Sequence, residues 1–327
     1  MSYFDQVENP NVFASYAVPI TPMVSDILAM QSYYGSGSSV RTSNTNYGYN
    51  SNAGGIWDDF VNATESIALT IWDDGGIDTL DFSGTSLSQQ INLIEESFSD
   101  ILGLTGNLTI MRGTEIENAK GGGGADTLIG NALDNGLEGG GGNDALLDTL
   151  GDDTLMGGDG QDRLVSLAGT NTLSGEDGSD YLTGGAFNDT LNGNSGNDVL
   201  RGDPSFDGLG GSDVLTGGTG NDVLMGGRSA DTFVFAPNEG ADRIGHFDDS
   251  AVIYSAANGY QVTSLTQDFE TGLDVIELQS FAGINASNVF DFISDVSGNA
   301  VFSAQGTSIT LVGVTEADLG ADNFIFV

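Results

Sequence analysis

The sequence predicts an all-β chain centred on a parallel β-roll, with β-rich flanking regions and one N-terminal helix. Three observations predict it. Beginning at Gly121 the chain repeats every nine residues; the sixth place of each unit holds an aspartate or asparagine, and the eighth holds an apolar residue. One such unit, a glycine-rich turn followed by a strand of about three residues, buries too little to fold alone, so units must stack.

The frame holds residue by residue. From 121 to 201, position six is taken by Asp126, Asn135, Asp144, Asp153, Asp162, Asn171, Asp180, Asp189 and Asp198, and position eight is leucine in every unit from Leu128 to Leu200. After a six-residue insertion at 202–207, three more units follow with Asp213, Asp222 and Asp231 at position six and Leu215, Leu224 and Phe233 at position eight. Glycine early in the turn permits positive φ and close backbone approach, and the central apolar residue of each strand points inward. Two units make one coil of 18 residues, so turns stack along two opposite edges with rungs ~4.8 Å apart. Aspartates 18 residues apart then lie one above the other.

Bare carboxylates at that spacing repel by roughly 3 kcal/mol per neighbouring pair at an effective dielectric of ~20, more than a narrow leucine core can offset. A divalent cation between rungs turns the repulsion into attraction. Asp oxygens and turn carbonyls together make an all-oxygen cage, which suits calcium better than zinc or copper. A flexible glycine tract would not keep leucine in register, and an ion-free solenoid would not keep aspartate.

The two edges are unequal. On the odd edge, Gly121, Gly139, Gly157, Gly175, Gly193 and Gly217 open turns closed by Asp126, Asp144, Asp162, Asp180, Asp198 and Asp222, with glycine also at position four. These six turns predict a filled row of about five calcium ions. The even edge reads GNALDN, DTLGDD, SLAGTN and GGAFND, then the turn carrying the insertion, then GGRSAD. Its carboxylates, Asp153, Asp189, Asp213 and Asp231, predict sparse or weak sites.

Composition narrows the partners. The 327 residues include 47 acidic and 7 basic side chains, a net charge of -40, which makes nucleic acid and anionic membrane surfaces poor partners. There is no cysteine, so neither disulfides nor thiolate sites are available. No apolar run approaches the ~20 residues of a membrane span. The first twenty residues, interrupted by Asp5, Glu8 and Pro10, do not read as a cleavable signal peptide.

Outside the repeat, residues 21–35 predict a helix with Thr21 as N-cap, Pro22 at its first position and Gly35 as its stop. Residues 36–55 read as a linker. Short strands are expected at 67–72, 79–82 and 107–111, and again at 244–247, 273–281, 289–293 and 309–314, the latter group forming a cap over the open end of the solenoid. The boundaries are thus 1–35, 36–120, 121–234 and 235–327. Trp57 and Trp72 read as core, His246 as a surface or packed imidazole, and Asp248 with Asp249 as a solvated pair.

With these residues in hand, the chain resembles the C-terminal region of the serralysins, zinc proteases of the metzincin class with calcium-binding RTX repeats. TIWDDGGIDTLDFSG at 70–84, QQINLIEESFSDILGL at 89–104 and EIENAKGGGGADTLIGN at 115–131 carry the resemblance into the coils before the repeat. The resemblance implies two further calcium sites there, built from Arg41, Ser43, Thr45, Asp73, Gly75, Gly76, Asp78, Glu115 and Glu117; Glu115 stands where the family usually has threonine. MSYF at 1–4 resembles the family's Met-turn, with Tyr3 at the place of a zinc-ligating tyrosine, and helix 21–35 resembles the last helix of its protease domain. The HExxHxxGxxH helix is missing and His246 is the single histidine, so no zinc and no catalysis are expected of this chain as it stands. An upstream protease domain would change that.

The closing residues ADNFIFV resemble the family's uncleaved type I secretion signal. The expected function is therefore a secreted, extracellular calcium-binding β-roll, the non-catalytic part of a serralysin-like metalloprotease. It would meet the type I secretion apparatus unfolded and fold on calcium outside. The other class that fits is an extracellular structural or adhesin-like RTX scaffold without a protease partner.

Overall fold

A strand of three residues with leucine at its centre has one inward side chain and two outward ones, and the register of the chain follows from stacking those centres. In the computed structural model, which describes residues 18–19, 41–54, 56–63, 66–203, 210–246, 252–255, 259–269 and 272–327, the stacking is in parallel. The expected helix at 21–35, the MSYF segment and the pair Asp248 and Asp249 lie outside the described residues. The chain divides into two units, Met1–Asp148 and Thr149–Val327.

In the second unit one parallel sheet aligns Leu155, Leu173, Leu191, Leu215 and Phe233, then Ile276 and Phe324. The other aligns Leu164, Leu182, Leu200, Leu224, Ile244 and Leu311. The leucines of both rows are buried, while Thr154, Thr172 and Thr190, one place earlier, face solvent. Each buried leucine contributes ~1.5–3 kcal/mol, and the alternation fixes the strand's face. The insertion after Arg201 leaves the register intact: Leu191 pairs with Leu215 and Leu200 with Leu224, both across 24 residues instead of 18.

The first unit repeats the plan over fewer rungs. Leu80, Ala119 and Leu137 align in one sheet, and Ile91, Leu128 and Leu146 in another. A further small sheet joins Val18–Pro19, Ile67–Ile71, Leu108–Ile110 and Phe98–Ser99. Ile56–Asp59 is a short helix where a strand-rich region was expected; it seats Trp57, which is buried edge-to-face against Tyr47 and Phe60. Trp72 is half-buried, its indole N–H donating to Asp74 Oδ1.

The largest departure from expectation follows Val234. The ladder does not stop there: Gly240–Ile244 and Val275–Leu278 extend the two sheets in parallel register, and Phe324–Phe326 adds a last strand to the second of them. Ile293–Val296, Asn299–Ala304 and Thr307–Leu311 form an antiparallel meander. Val289–Phe292 is a 3-10 helix, not a strand. Between the two late rungs the chain leaves the roll at His246 and returns at Thr266, where the two backbones exchange hydrogen bonds of 2.9 Å each way. The excursion carries the antiparallel pair Val252–Ser255 and Gly259–Val262. Val262 packs with Tyr181, Val199, Val223 and Met225 on the outward face of the sheet, a small second core.

Leu191→Ala is expected to cost ~2–5 kcal/mol in denaturant unfolding with calcium in excess, and Thr190→Ala, exposed on the same strand, within ~0.5 kcal/mol. Equal costs would place the leucine row outside the core.

Candidate metal centres in the turns

The turn geometry explains the sixth and first positions together. On the odd edge of the second unit, each backbone N–H at position six donates to the carboxylate of the next turn: Asp162 N to Asp180 Oδ1, Asp180 N to Asp198 Oδ1 and Asp198 N to Asp222 Oδ1, all at 2.8 Å. Asp222 N continues to Asp242 Oδ1 at 2.9 Å. One oxygen of each carboxylate is thereby used to hold the stack. The other is not: Oδ2 of Asp180, Asp198, Asp222 and Asp242 is buried and accepts no hydrogen bond.

That second oxygen faces a carbonyl. A Cβ built on Gly175 would lie under 3.0 Å from both Asp180 Oδ2 and Gly193 O, and one built on Gly193 would meet Asp198 Oδ2 and Gly217 O in the same way. Gly157 repeats the arrangement with Asp162 Oδ2 and Gly175 O, and Gly121 in the first unit with Asp126 Oδ2 and Gly139 O. Glycine at position one therefore keeps open a cradle where two oxygen acceptors converge. Position four is glycine for a different reason. Gly178 has φ +153°, and a Cβ there would run into Gly160 O of the turn before.

The even edge has the same ladder with altered parts. Asn171 N donates to Asp189 Oδ1 and Asp189 N to Asp213 Oδ1, both at 2.8 Å; Asp213 N reaches Asp231 Oδ1 at 2.9 Å and Asp231 N reaches Asp274 Oδ1 at 3.0 Å. Oδ2 of Asp189, Asp213 and Asp231 is buried without a hydrogen bond. Phe187 and Ser229 occupy position four at φ +77° and +79°, left-handed conformations that glycine adopts more readily. At Asp153 the second oxygen accepts from Ser166 Oγ at 3.4 Å.

Buried carboxylates without counter-charges are held far from their ordinary titration. Burial pushes Asp180 and Asp189 up to about 7, Asp213 and Asp222 to about 8, and Asp198 and Asp231 to about 9. Backbone N–H donors pull the other way, and neighbouring carboxylates add to the rise. A cation in the cradle removes the reason for the shift. Among the described residues no three His, Cys, Asp or Glu side chains come together as a ligand set, so an ion held here must draw on main-chain carbonyls as well.

In the first unit the expected leading-coil residues fall into linked contacts. Thr45 N donates to Asp78 Oδ1 and Asp78 N to Glu117 Oε2, each at 2.7 Å, while Thr45 Oγ1 bonds Ser43 O at 2.9 Å. Asp78 is fully buried with Oδ2 lacking a hydrogen bond, and burial raises it to about 6. Asp73 takes the Tyr47 hydroxyl at 2.6 Å and Gly75 N at 3.2 Å; Gly76, at φ +139°, presses against the Ser43 backbone. Arg41 directs its guanidinium to Trp72 O and Ala53 O, and its own carbonyl accepts from Asp74 N at 3.1 Å. Glu115 is exposed, and its carboxylate joins none of these contacts.

Two ladder members were not expected from sequence, Asp242 and Asp274. Each sits two residues after a positive-φ glycine, Gly240 and Gly272, and two before an inward isoleucine, so G-x-D-x-I was the available signal. Pro237 and Phe269 stand where their turns would have the first glycine, which hid the frame. Asp268 is also buried and accepts from Gly226 N at 2.8 Å.

Stacked glycine–aspartate turns enclosing pairs of buried oxygens define a parallel β-roll. Residues 36–312 match the Peptidase M10 serralysin C-terminal family, and the chain belongs to it. The region so matched is the non-catalytic part of serralysin-family proteases, and no catalytic domain is matched. Metallopeptidase AprA of Pseudomonas marginalis is 44% identical over 141 residues, covering 41% of this chain and 29% of the relative. Metalloprotease AprA of Pseudomonas entomophila is 50% identical over 120 residues, 36% and 24% of the two chains. The serralysin of Photorhabdus luminescens is 44% identical over 138 residues, 42% and 28%. The matched stretch thus spans between 24% and 29% of each relative. Among solved structures, the extracellular lipase LipA of Serratia marcescens aligns over 68% of this chain and 44% of its own at 18% identity and a TM-score of 0.30.

Because the folded carboxyl values lie above the ordinary 3.8, charged carboxylates oppose the ion-free fold at high pH. The opposition fades as pH falls through those raised values toward 3.8. In chelator, far-UV circular dichroism should show more β signal at about pH 5 than at about pH 8; equal spectra would mean the carboxylates do not set the ion-free stability.

Proposed function

We propose that this chain is a secreted calcium-binding β-roll, the non-catalytic C-terminal part of a serralysin-type metalloprotease, and that calcium met outside the cell drives its folding after type I secretion. The observation that carries the reading is the pairing of a buried carboxylate oxygen with a facing carbonyl in turn after turn. An all-oxygen set of flexible size suits calcium. Gly, Asp and carbonyl groups of the turns beginning at 121, 139, 157, 175, 193 and 217 would hold the ions of the fuller edge. Asp189, Asp213 and Asp231 would hold those of the other. Thr45, Asp73, Asp78 and Glu117, with backbone from Arg41, Ser43, Gly75 and Gly76, would hold those of the leading coils. Bound calcium supplies the positive charge that lets the carboxylates stay ionised while buried.

The switch follows from concentration. Where free calcium is low, repulsion among 47 acidic side chains favours an extended chain able to thread a secretion channel. Extracellular modules bind calcium with dissociation constants of ~0.1–1 mM, and a site at tenfold excess contributes ~1.4 kcal/mol to folding, so several sites together decide the state. The C-terminal FIFV supports the same order of events. Phe324–Phe326 pairs with Val275–Leu278 and Phe324 is buried while Ile325 and Val327 stay exposed, so folding withdraws part of the segment that the extended chain would offer a secretion apparatus. A catalytic half upstream would make the assembled protein a zinc protease, with this chain as its calcium-dependent support.

Titrating calcium into the chelated chain at about pH 8 should convert a coil-like circular dichroism spectrum into a β spectrum cooperatively. Magnesium at equal concentration should fail, since it demands smaller and more regular coordination. Asp198→Asn should raise the calcium midpoint. Identical spectra with and without calcium would sink the proposal.

A further inference from the structure

Aspartate and asparagine have the same shape, yet at position six they leave opposite chemistry in the gap. Where the residue is aspartate, as at Asp180, its second oxygen and the carbonyl of Gly193 one turn on confront each other as two acceptors. Turn 166–171 has Asn171. Its Oδ1 accepts the ladder bond from Asp153 N at 3.0 Å, as an aspartate would. Its Nδ2 takes the place of the second oxygen and donates to Gly169 O and to Gly184 O, both at 3.1 Å. Gly184 O is the counterpart on this edge of Gly193 O on the other, because it opens the next turn. Two acceptors need a cation between them, whereas a donor and an acceptor close the gap unaided.

The same turn is altered in other respects that agree. Position one is Ser166 instead of glycine, and its hydroxyl donates to Asp153 Oδ2, so the oxygen on the near side also has a proton. Asn171 is 1% exposed, which means that its amide hydrogens have no solvent to turn to. In the first unit Asn135, the other asparagine at position six, is turned the other way: its Nδ2 donates to Glu117 O of the coil before at 2.9 Å, and its Oδ1 accepts from Asn131 N of its own turn at 2.7 Å.

We infer that Asn171 plugs its own gap: its amide hydrogens do the work of an ion, so the space between turns 166–171 and 184–189 takes no calcium, and the ion row of the even edge begins only at Asp189. Residue six then acts as the selector that decides, turn by turn, whether a gap is closed by a cation or by an amide. The inference rests on the calcium reading above. It gives this edge one link whose bonds are complete without calcium, between a stretch that carries no ion and one that does.

The test counts ions. Equilibrium dialysis of the chain against calcium alone, at saturation, gives the stoichiometry; the slope of unfolding free energy against the logarithm of calcium concentration gives the number taken up on folding. Asn171→Asp is expected to bind one more ion per chain than the wild type and to steepen that slope by one ion. Asp180→Asn, which installs the plug on the other edge, is expected to bind at least one fewer and serves as the second variant should N171D fail to fold. Wild-type stoichiometry in a folded N171D, or in D180N, overturns the assignment of residue six as selector. A wild type that binds no calcium at all overturns instead the calcium reading on which the assignment rests.

Discussion

Two oxygen atoms that face each other with no proton between them govern this structure. In the turns opened by Gly175 and Gly193 the carboxylate at position six gives one oxygen to the backbone of the preceding turn and presents the other to a carbonyl of the next. The first arrangement stacks the turns in register; the second makes the stack unstable alone. Every other feature of the repeat serves this pair. Glycine at position one leaves room for it, glycine at position four admits the carbonyl of the preceding rung, and the leucine two places after the aspartate supplies the inward apolar burial of the rung.

Charge and burial act in opposite senses here. The net charge of -40 would be tolerable if spread over solvent-exposed positions, but the ladder aspartates are nearly all below 3% exposure. Desolvation of these carboxylates, with the repulsion of their neighbours added, therefore opposes an ion-free fold. Such a fold is disfavoured until positive charge reaches the ladder.

The repeat frame, its inward leucines and the pairing of turns 18 residues apart were legible in the amino-acid sequence because one residue type recurs at one spacing for one physical reason. The aspartates at 242 and 274 were not, since their turns open with proline and phenylalanine and lie 20 and 43 residues from the rungs they continue. The helix around Trp57 was hidden by its setting among glycine, serine and asparagine, where only tertiary packing against Tyr47 and Phe60 favours it. Sequence marked the even edge as degraded, but not how. That required the hydrogen bonds of Asn171 and Ser166, which depend on backbone carbonyls that no residue identity reports.

The excursion between His246 and Thr266 has a consequence for how such a chain breaks. Its two ends are tied to each other at the edge of the roll, and the rungs on either side, Gly240–Ile244 and Val275–Leu278, are each paired with older neighbours in their own sheets. A protease that cuts within 247–265 severs the polypeptide without severing the object: the fragment ending there stays laced to the fragment beginning there through parallel strands that belong to both. Covalent continuity and mechanical continuity thus part company at this point, and a nicked molecule keeps its shape until the strands themselves are melted.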